Sequence, residues 1–271
     1  QGPQIAYLYA ISRSAKDGEL LLRLRQLGTV RLSKVEAIAL DIGIPRQELL
    51  SSLERLEATG LISILRRSTP SEIIGIHETI FTEAEVYRAT AKLFDEANPY
   101  ASERAIIPLI DLMSKLPLTE EEATSRTAQQ GFSEQDINMA LELQEAFGLL
   151  RKQHVSDFGV TLLHNEYLWG HKIERVGPII AKLQTRETDH LIALMDEVRS
   201  VQGLSIDRLT AAPQHIVALA ANTGILDTTT ILTATGDEKT FAFSPHFYGY
   251  KAGTQPALLT DPADQVRLFV A

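Results

Sequence analysis

The chain contains no cysteine. Disulfides and thiolate-bound metals are therefore excluded, and a reducing, cytoplasmic setting is the expectation. No run approaches the roughly 18 apolar residues that cross a bilayer. No basic, apolar, small-residue leader opens the chain either, so a soluble protein with no membrane partner is expected. There is no phosphate-binding Gly-rich loop with its Lys, no nucleophile elbow and no dinucleotide fingerprint. Neither an enzyme nor a cofactor is expected. His154, His164 and His171, with Asp157 and Glu166 nearby, match no zinc spacing. They are read as surface or wing histidines, and no metal is assigned. Aromatic residues amount to only 6% of the 271 positions. Their one cluster places Phe241 and Phe243 on a common strand face, hence in a core, and leaves residues 246–250 for an interface. Positive charge is scarce as well: the net charge is −9 and the pI about 5.3. A protein held to nucleic acid along its whole length carries a basic face instead, so charge has to be weighed segment by segment.

What the chain does have is a repeated punctuation. Ala58-Thr59-Gly60-Leu61-Ile62, Ala146-Phe147-Gly148-Leu149-Leu150 and Asn222-Thr223-Gly224-Ile225-Leu226 each end a helical stretch in Gly and enter an apolar run. Glycine adopts a left-handed backbone without a Cβ clash, so each is a helix stop that feeds a strand. Their spacing, roughly 75 to 90 residues, predicts three copies of one supersecondary unit. At 44% hydrophobic residues the chain has enough apolar material for several cores.

The first copy covers residues 16–80. Leu20, Leu21, Leu24 and Leu27 share a helical face, Val30 to Leu32 is a short extended piece, and Ser33 with Glu36 forms a capping box for a second helix. Pro45 opens a third helix with Leu49, Leu50, Leu53 and Leu56 as its buried stripe. Leu61 to Leu65 and Ile73 to Ile76 make a hairpin. Residues 81–98 are a connecting helix that spaces the copies, capped by Thr82 and Glu85 and stapled by Phe81 on Val86. The second copy, residues 99–165, repeats the order with Thr119 and Glu122, then Ser133, as caps, and with Pro108 bending or shortening its first helix. The connector at residues 166–186 is broken at Gly177-Pro178. The third copy, residues 187–246, has a reduced second helix at Ile206 to Leu209, a third helix begun by Pro213 and a hairpin around Gly236-Asp237. Residues 1–15, beginning Gln1-Gly2-Pro3 like the remnant of an engineered protease site, are a lead-in. Residues 247–271 end in an apolar run and suggest a truncated C-terminal segment.

Helix, short strand, helix, turn, helix, hairpin resembles the winged-helix superfamily, three times over nearly the whole chain. The implied fold class is mainly α with small β-hairpin wings, a tandem winged-helix array. The resemblance implies a third helix that enters the DNA major groove and a wing that touches phosphate. In the first copy Arg46, Gln47, Ser51, Ser52 and Arg55 are placed on the outer side of that helix, and Arg66 and Arg67 at the wing. Arg and Gln read base edges bidentately, whereas wing arginines hold phosphate. Nine basic residues meet nine acidic ones over residues 16–80, so solvated charges offset by Glu48 and Glu54 are the alternative.

The other copies are acidic, with five basic residues against ten acids over 98–165 and three against eight over 187–245. Glu134, Gln135, Asp136, Asn138, Glu142 and Glu145 on the second copy's third helix repel phosphate, and the Ala-rich third helix of the last copy could be buried on both faces. The expectation is a DNA-binding or transcription-regulating protein that contacts duplex DNA through its first copy and a protein partner or its own homodimer through the other two. The alternative is a protein–protein scaffold without DNA contact.

Overall fold

The structure, a computed structural model, describes residues 8–67, 72–232, 236 and 238–244. Two compact units divide the chain, Gln1–Arg104 and Ala105–Ala271. Among the described residues the chain is mainly helical, with three small antiparallel sheets of three strands each.

The first unit holds α1 (Tyr9–Leu24), β1 (Thr29–Arg31), α2 (Leu32–Asp41), α3 (Arg46–Ala58), β2 (Ile62–Arg66), β3 (Ile73–Glu78) and α4 (Glu83–Glu96). Leu20, Leu21 and Leu24 of α1 meet Val35 and Ala39 of α2 and Leu49, Leu53 and Leu56 of α3, and the sheet closes this core with Ile62, Ile64 and Ile76. β1 pairs with β3 and β3 with β2, all antiparallel, placing Val30 opposite Ile76 and Ile76 opposite Ile64. The crossing is tight at Gly75, where an added Cβ would lie 2.2 Å from the Val30 carbonyl oxygen.

Several expectations for this unit are corrected. Helix α1 begins at Tyr9 and buries Ala10 and Ser14, so residues from Tyr9 to Ala15 belong to the first copy and not to a lead-in. Leu27 lies beyond the helix end and is exposed. Helix α2 starts at Leu32, directly off β1, with Arg31 as N-cap and no side-chain cap; the Ser33 and Glu36 box does not form. Leu50 leaves the buried stripe for the outer face of α3. On α4 the Thr82 and Glu85 capping box is present, but Phe81 is 79% exposed and staples nothing. Nor is α4 a free spacer. Its Val86, Ala89 and Leu93 enter the core of the first copy; its Thr90 fills the space left by Gly18, and Glu83 reaches Arg25 at 3.3 Å.

α5 (Ala101–Lys115) spans the division between the units, and the second continues with β4 (Leu118–Thr119), α6 (Glu120–Ala128), α7 (Glu134–Ala146), β5 (Leu150–Val155) and β6 (Val160–Asn165). Thr119 with Glu122 caps α6, and Ser133 caps α7. Pro108 sits inside α5, which is not shortened by it. The hairpin starts at Leu150, because the helix-stop glycine leads straight into the strand. Next come α8 (Glu166–Trp169) and α9 (Ile173–Ile180), the latter continuous through Gly177-Pro178. This connector is also core material. Trp169 is fully buried and its indole N–H donates to the Ser114 carbonyl at 3.1 Å. The last copy comprises α10 (Thr185–Ser200), β7 (Leu204–Ser205), a single 3-10 turn over Ile206–Arg208, α11 (Gln214–Thr223), β8 (Asp227–Leu232) and β9 (Glu238–Phe243). Phe243 is buried as expected, Phe241 only partly; residues 246–250 and the C-terminal run lie outside the described residues, as do Gln1-Gly2-Pro3.

All three sheets share one pairing scheme: the short strand before the second helix pairs with the second hairpin strand, which sits in the middle. All three punctuating glycines have positive φ, +79° at Gly60, +70° at Gly148 and +78° at Gly224. Modules two and three are joined by ion pairs between α5 and α10: Arg199 to Asp111 at 2.8 Å and Lys115 to Asp196 at 2.9 Å. Arg126 of α6 adds a 2.7 Å pair to Asp189.

The Gly75 crossing makes a direct prediction. Gly75→Ala forces β1 off β3 and should cost about 1–3 kcal/mol, the usual range for overpacking. Urea unfolding of the variant would read this as a lower midpoint, and an unchanged midpoint would mean that β1 is not pinned there.

Candidate nucleic-acid interface

The arginines on and around α3 separate into two kinds once their partners are seen. Asp17 of α1 points into the core with its side chain only 2% exposed. Arg55 clamps it with two bonds, Nε to Oδ2 at 2.8 Å and Nη2 to Oδ1 at 3.1 Å, and the Ser52 hydroxyl donates to Oδ1. A buried carboxylate is tolerated only when its lone pairs are met, and here three donors meet them. Ser52 and Arg55 therefore face inward. Their placement on the outer side of α3 is corrected: they fasten α3 to α1.

The remaining sequence-derived candidates are solvent-facing. Arg46 at the start of α3 is exposed and bonds Glu36 of α2 at 3.1 Å. Gln47 is exposed beside it, and the exposed Ser51 donates to the Glu48 carbonyl at 2.8 Å. Arg66 lies 3.6 Å from Glu57, and Arg67, at the mouth of the hairpin, 3.2 Å from Glu72. The outer stripe of α3 thus reads Gln47, Leu50, Ser51, Glu54 and Ala58, polar and close to neutral. Each of the three outward arginines has a carboxylate partner. Exposed pairs of this sort contribute about 0–1 kcal/mol, so a phosphate can displace the carboxylate at little cost.

Two cations were counted in the sequence but given no role. Arg31, the last residue of β1, and Lys34, in the first turn of α2, are both exposed, and neither forms an ion pair among the described residues. The Arg46–Glu36 pair ties α2 to the start of α3. The sign of Arg31 and Lys34 was legible in the sequence; that neither joins an ion pair among the described residues was not, since the acids that neutralise Arg46, Arg66 and Arg67 come from α2, α3 and the residue before β3.

The third helices of the other copies carry different faces. On α7 Glu134, Gln135, Asn138 and Glu142 are exposed, and with Met139 they border a shallow open groove. Asp136 is partly covered, and Ser133 at the N-cap bonds its carboxylate. On α11 Gln214, His215, Ala218 and Asn222 are exposed while Ile216, Val217 and Ala220 are buried, so that helix has one free face and is not buried on both.

The histidine reading also changes. His164 of β6 is 2% exposed, and its Nδ1 has no hydrogen-bond partner among the described residues. Burial pushes its imidazole below the ordinary value, with Arg151 adding to this and the Asn165 backbone and Glu166 opposing it. Among the described residues no group of three His, Asp or Glu side chains could hold a metal, and no helix is long and apolar enough to cross a membrane.

With this geometry in hand, comparison with protein families and with characterised proteins finds no match to the chain.

Removing one partner of a buried pair strands the other charge, at about 3–5 kcal/mol. Arg55→Ala should therefore lower the unfolding midpoint of the first unit sharply, while Arg46→Ala should stay within about 0.5 kcal/mol of the parent. Equal effects would mean that Asp17 is not held as described. The lowered pKa of His164 gives a pH dependence of known sign. The unfolded chain takes up the proton first, near the ordinary imidazole value of about 6.5. The stabilisation is then complete above that value and declines as pH falls below it. In thermal melts across this range His164→Leu should flatten the acid-side loss, and an unchanged slope would exclude His164 as its source.

Proposed function

We propose that this chain is a DNA-binding regulatory protein built from tandem winged helices, in which the first copy contacts duplex DNA and the acidic copies mediate self-association or partner docking. No catalytic step belongs to this reading. The observation that carries it is the solvent-facing set on the first copy: Arg46, Gln47 and Ser51 on α3, Arg66 and Arg67 on the hairpin, and Arg31 at the end of β1 and Lys34 on α2, neither of which joins an ion pair among the described residues. Gln47 and Arg46 have the functional groups that bind base edges, and the other cations suit phosphate. The α7 face, with its carboxylates, is unsuited to the same contact.

A specific observation also favours a protein scaffold without DNA contact. Arg46, Arg66 and Arg67 all have carboxylate partners, and charges over the first copy cancel. Fluorescence anisotropy of a mixed-sequence duplex, at low and moderate salt, separates the two. Under the DNA reading affinity falls with salt, and the combined variant Arg31→Ala, Lys34→Ala, Arg46→Ala, Arg66→Ala, Arg67→Ala abolishes binding, each lost phosphate contact removing about 0.9 from the log–log salt slope. Arg55 stays unaltered because its loss should destabilise the unit through Asp17. No binding at low salt would reject the DNA reading in favour of the scaffold.

A further inference from the structure

In each sheet the first hairpin strand lies at the edge: β2, β5 and β8. The punctuating glycines put these strands in one register, so that Ile64, Lys152 and Thr228 are equivalent, as are Glu57, Glu145 and Ala221 on the preceding helices. An exposed edge offers unpaired N–H and C=O groups, and proteins close such edges with charges, bulges or a covering group. β2 uses all three. The Ile64 N–H, directed away from β3, donates to Glu57 Oε1 at 2.7 Å; Arg66 approaches the same carboxylate; and the ladder shifts between Leu65 and Arg66. β5 carries Arg151, Lys152 and His154, with Lys152 Nζ 3.1 Å from Glu145.

Along Thr228 to Leu232 β8 has none of these guards among the described residues; its one charge is Asp227 at the strand start, paired with Lys172 Nζ at 2.7 Å. Its sequence from Thr228 to Leu232 is Thr-Thr-Thr-Ile-Leu, without a charge, and the carboxylate-bearing position of the other copies is Ala221. The Ala242 carbonyl accepts from the Gly203 N–H, so Ala242 turns toward β7. Phe241 and Lys239 then turn toward β8, where they meet Thr229 and Ile231. By the alternation of antiparallel ladders, Thr228, Thr230 and Leu232 point their backbone groups outward. All three side chains are exposed, Leu232 at 66%, and no bond to their outward groups is made among the described residues.

We propose that this edge pairs with the same edge of a second copy of the chain, antiparallel, about a two-fold axis at Thr230. Thr230 then faces its own copy and Thr228 faces Leu232, extending each three-stranded sheet into a continuous six-stranded one. The chemistry of the edge selects this occupant. An open ladder binds only extended backbone, a β-branched strand is already set for it, and the stretch Thr228 to Leu232, which carries no charge, opposes itself without repulsion. β5 paired with itself would set Lys152 against Lys152. A six-residue strand is about 20 Å long, and one strand pair buries well under the roughly 800 Å² per partner of a standard interface. The association is therefore weak and concentration-dependent. Each copy carries a net charge of −9, so added salt strengthens it by screening repulsion, opposite to the sign expected for DNA binding.

This names the surface for the self-association assigned above to the acidic copies and rests on that part of the proposal. The test contains no DNA, so its failure is distinct from failure of the duplex titration. Sedimentation velocity of the full chain from micromolar to millimolar concentration should show a monomer–dimer equilibrium that salt favours. Hydrogen exchange over the same series should slow at Thr228, Thr230 and Leu232 as the dimer forms. Thr230→Lys, which sets two ammonium groups opposite each other at the axis, should abolish both effects with an unchanged circular dichroism spectrum. A monomer throughout, a dimer that Thr230→Lys leaves intact, or the same three amides already protected in the monomer would each overturn the proposal. The exchange measurement on the parent chain decides the matter even if the lysine variant folds poorly.

Discussion

Each copy is closed by a pairing between residues distant in sequence: Val30 with Ile76, Leu118 with Leu163, Leu204 with Ala242. The short strand is only two or three residues long and could not exist alone. Pairing fixes where the second helix starts, since α2 and α6 leave β1 and β4 without an intervening turn. It also puts the second hairpin strand in the middle of the sheet and the first at the edge. The placement of the third helix against the hairpin, and the identity of the open edge, both follow from this one constraint.

A second constraint sorts the charges. Asp17 is a carboxylate inside the first core, and its desolvation has to be met by donors. Arg55 and Ser52 supply them. In sequence Arg55 is one more helix-surface arginine, indistinguishable from Arg46. The buried acid that claims it lies 38 positions earlier, on a different helix. The same logic at the surface has a different result, because Arg46, Arg66 and Arg67 hold partners that solvent screens and that another anion can replace.

The copies diverge where the fold tolerates it. Their cores keep the same pairing and their helix stops keep the left-handed glycine. The outer faces of α3, α7 and α11 run from mixed and polar, through acidic, to neutral. The guard of the sheet edge goes from Glu57, through Glu145 with Lys152, to Ala221. Repetition of one scaffold with unlike surfaces suits a protein whose parts meet different partners, although the fold itself does not specify them.

Local signals in the sequence determined most of the elements. Gly60, Gly148 and Gly224 marked the helix ends, Thr82, Thr119 and Ser133 the helix starts, and the leucine spacings most of the buried faces, because backbone sterics, caps and periodicity act over a few residues. Where reading failed, a distant partner was responsible. Ser33 lost its capping role because β1 delivers the chain into α2 two residues earlier, with Arg31 as N-cap. Phe81 missed Val86, which is buried in the α1–α3 core. The connectors proved to be core because Val86, Ala89, Leu93 and Trp169 found burial that no local pattern announces. The candidate site divided along the same line. Which residues were basic or amide-bearing was legible from the start; which of them remain available to a ligand was decided only when folding brought Asp17, Glu36, Glu57 and Glu72 to them, since electrostatic pairing depends on distance in space and not along the chain.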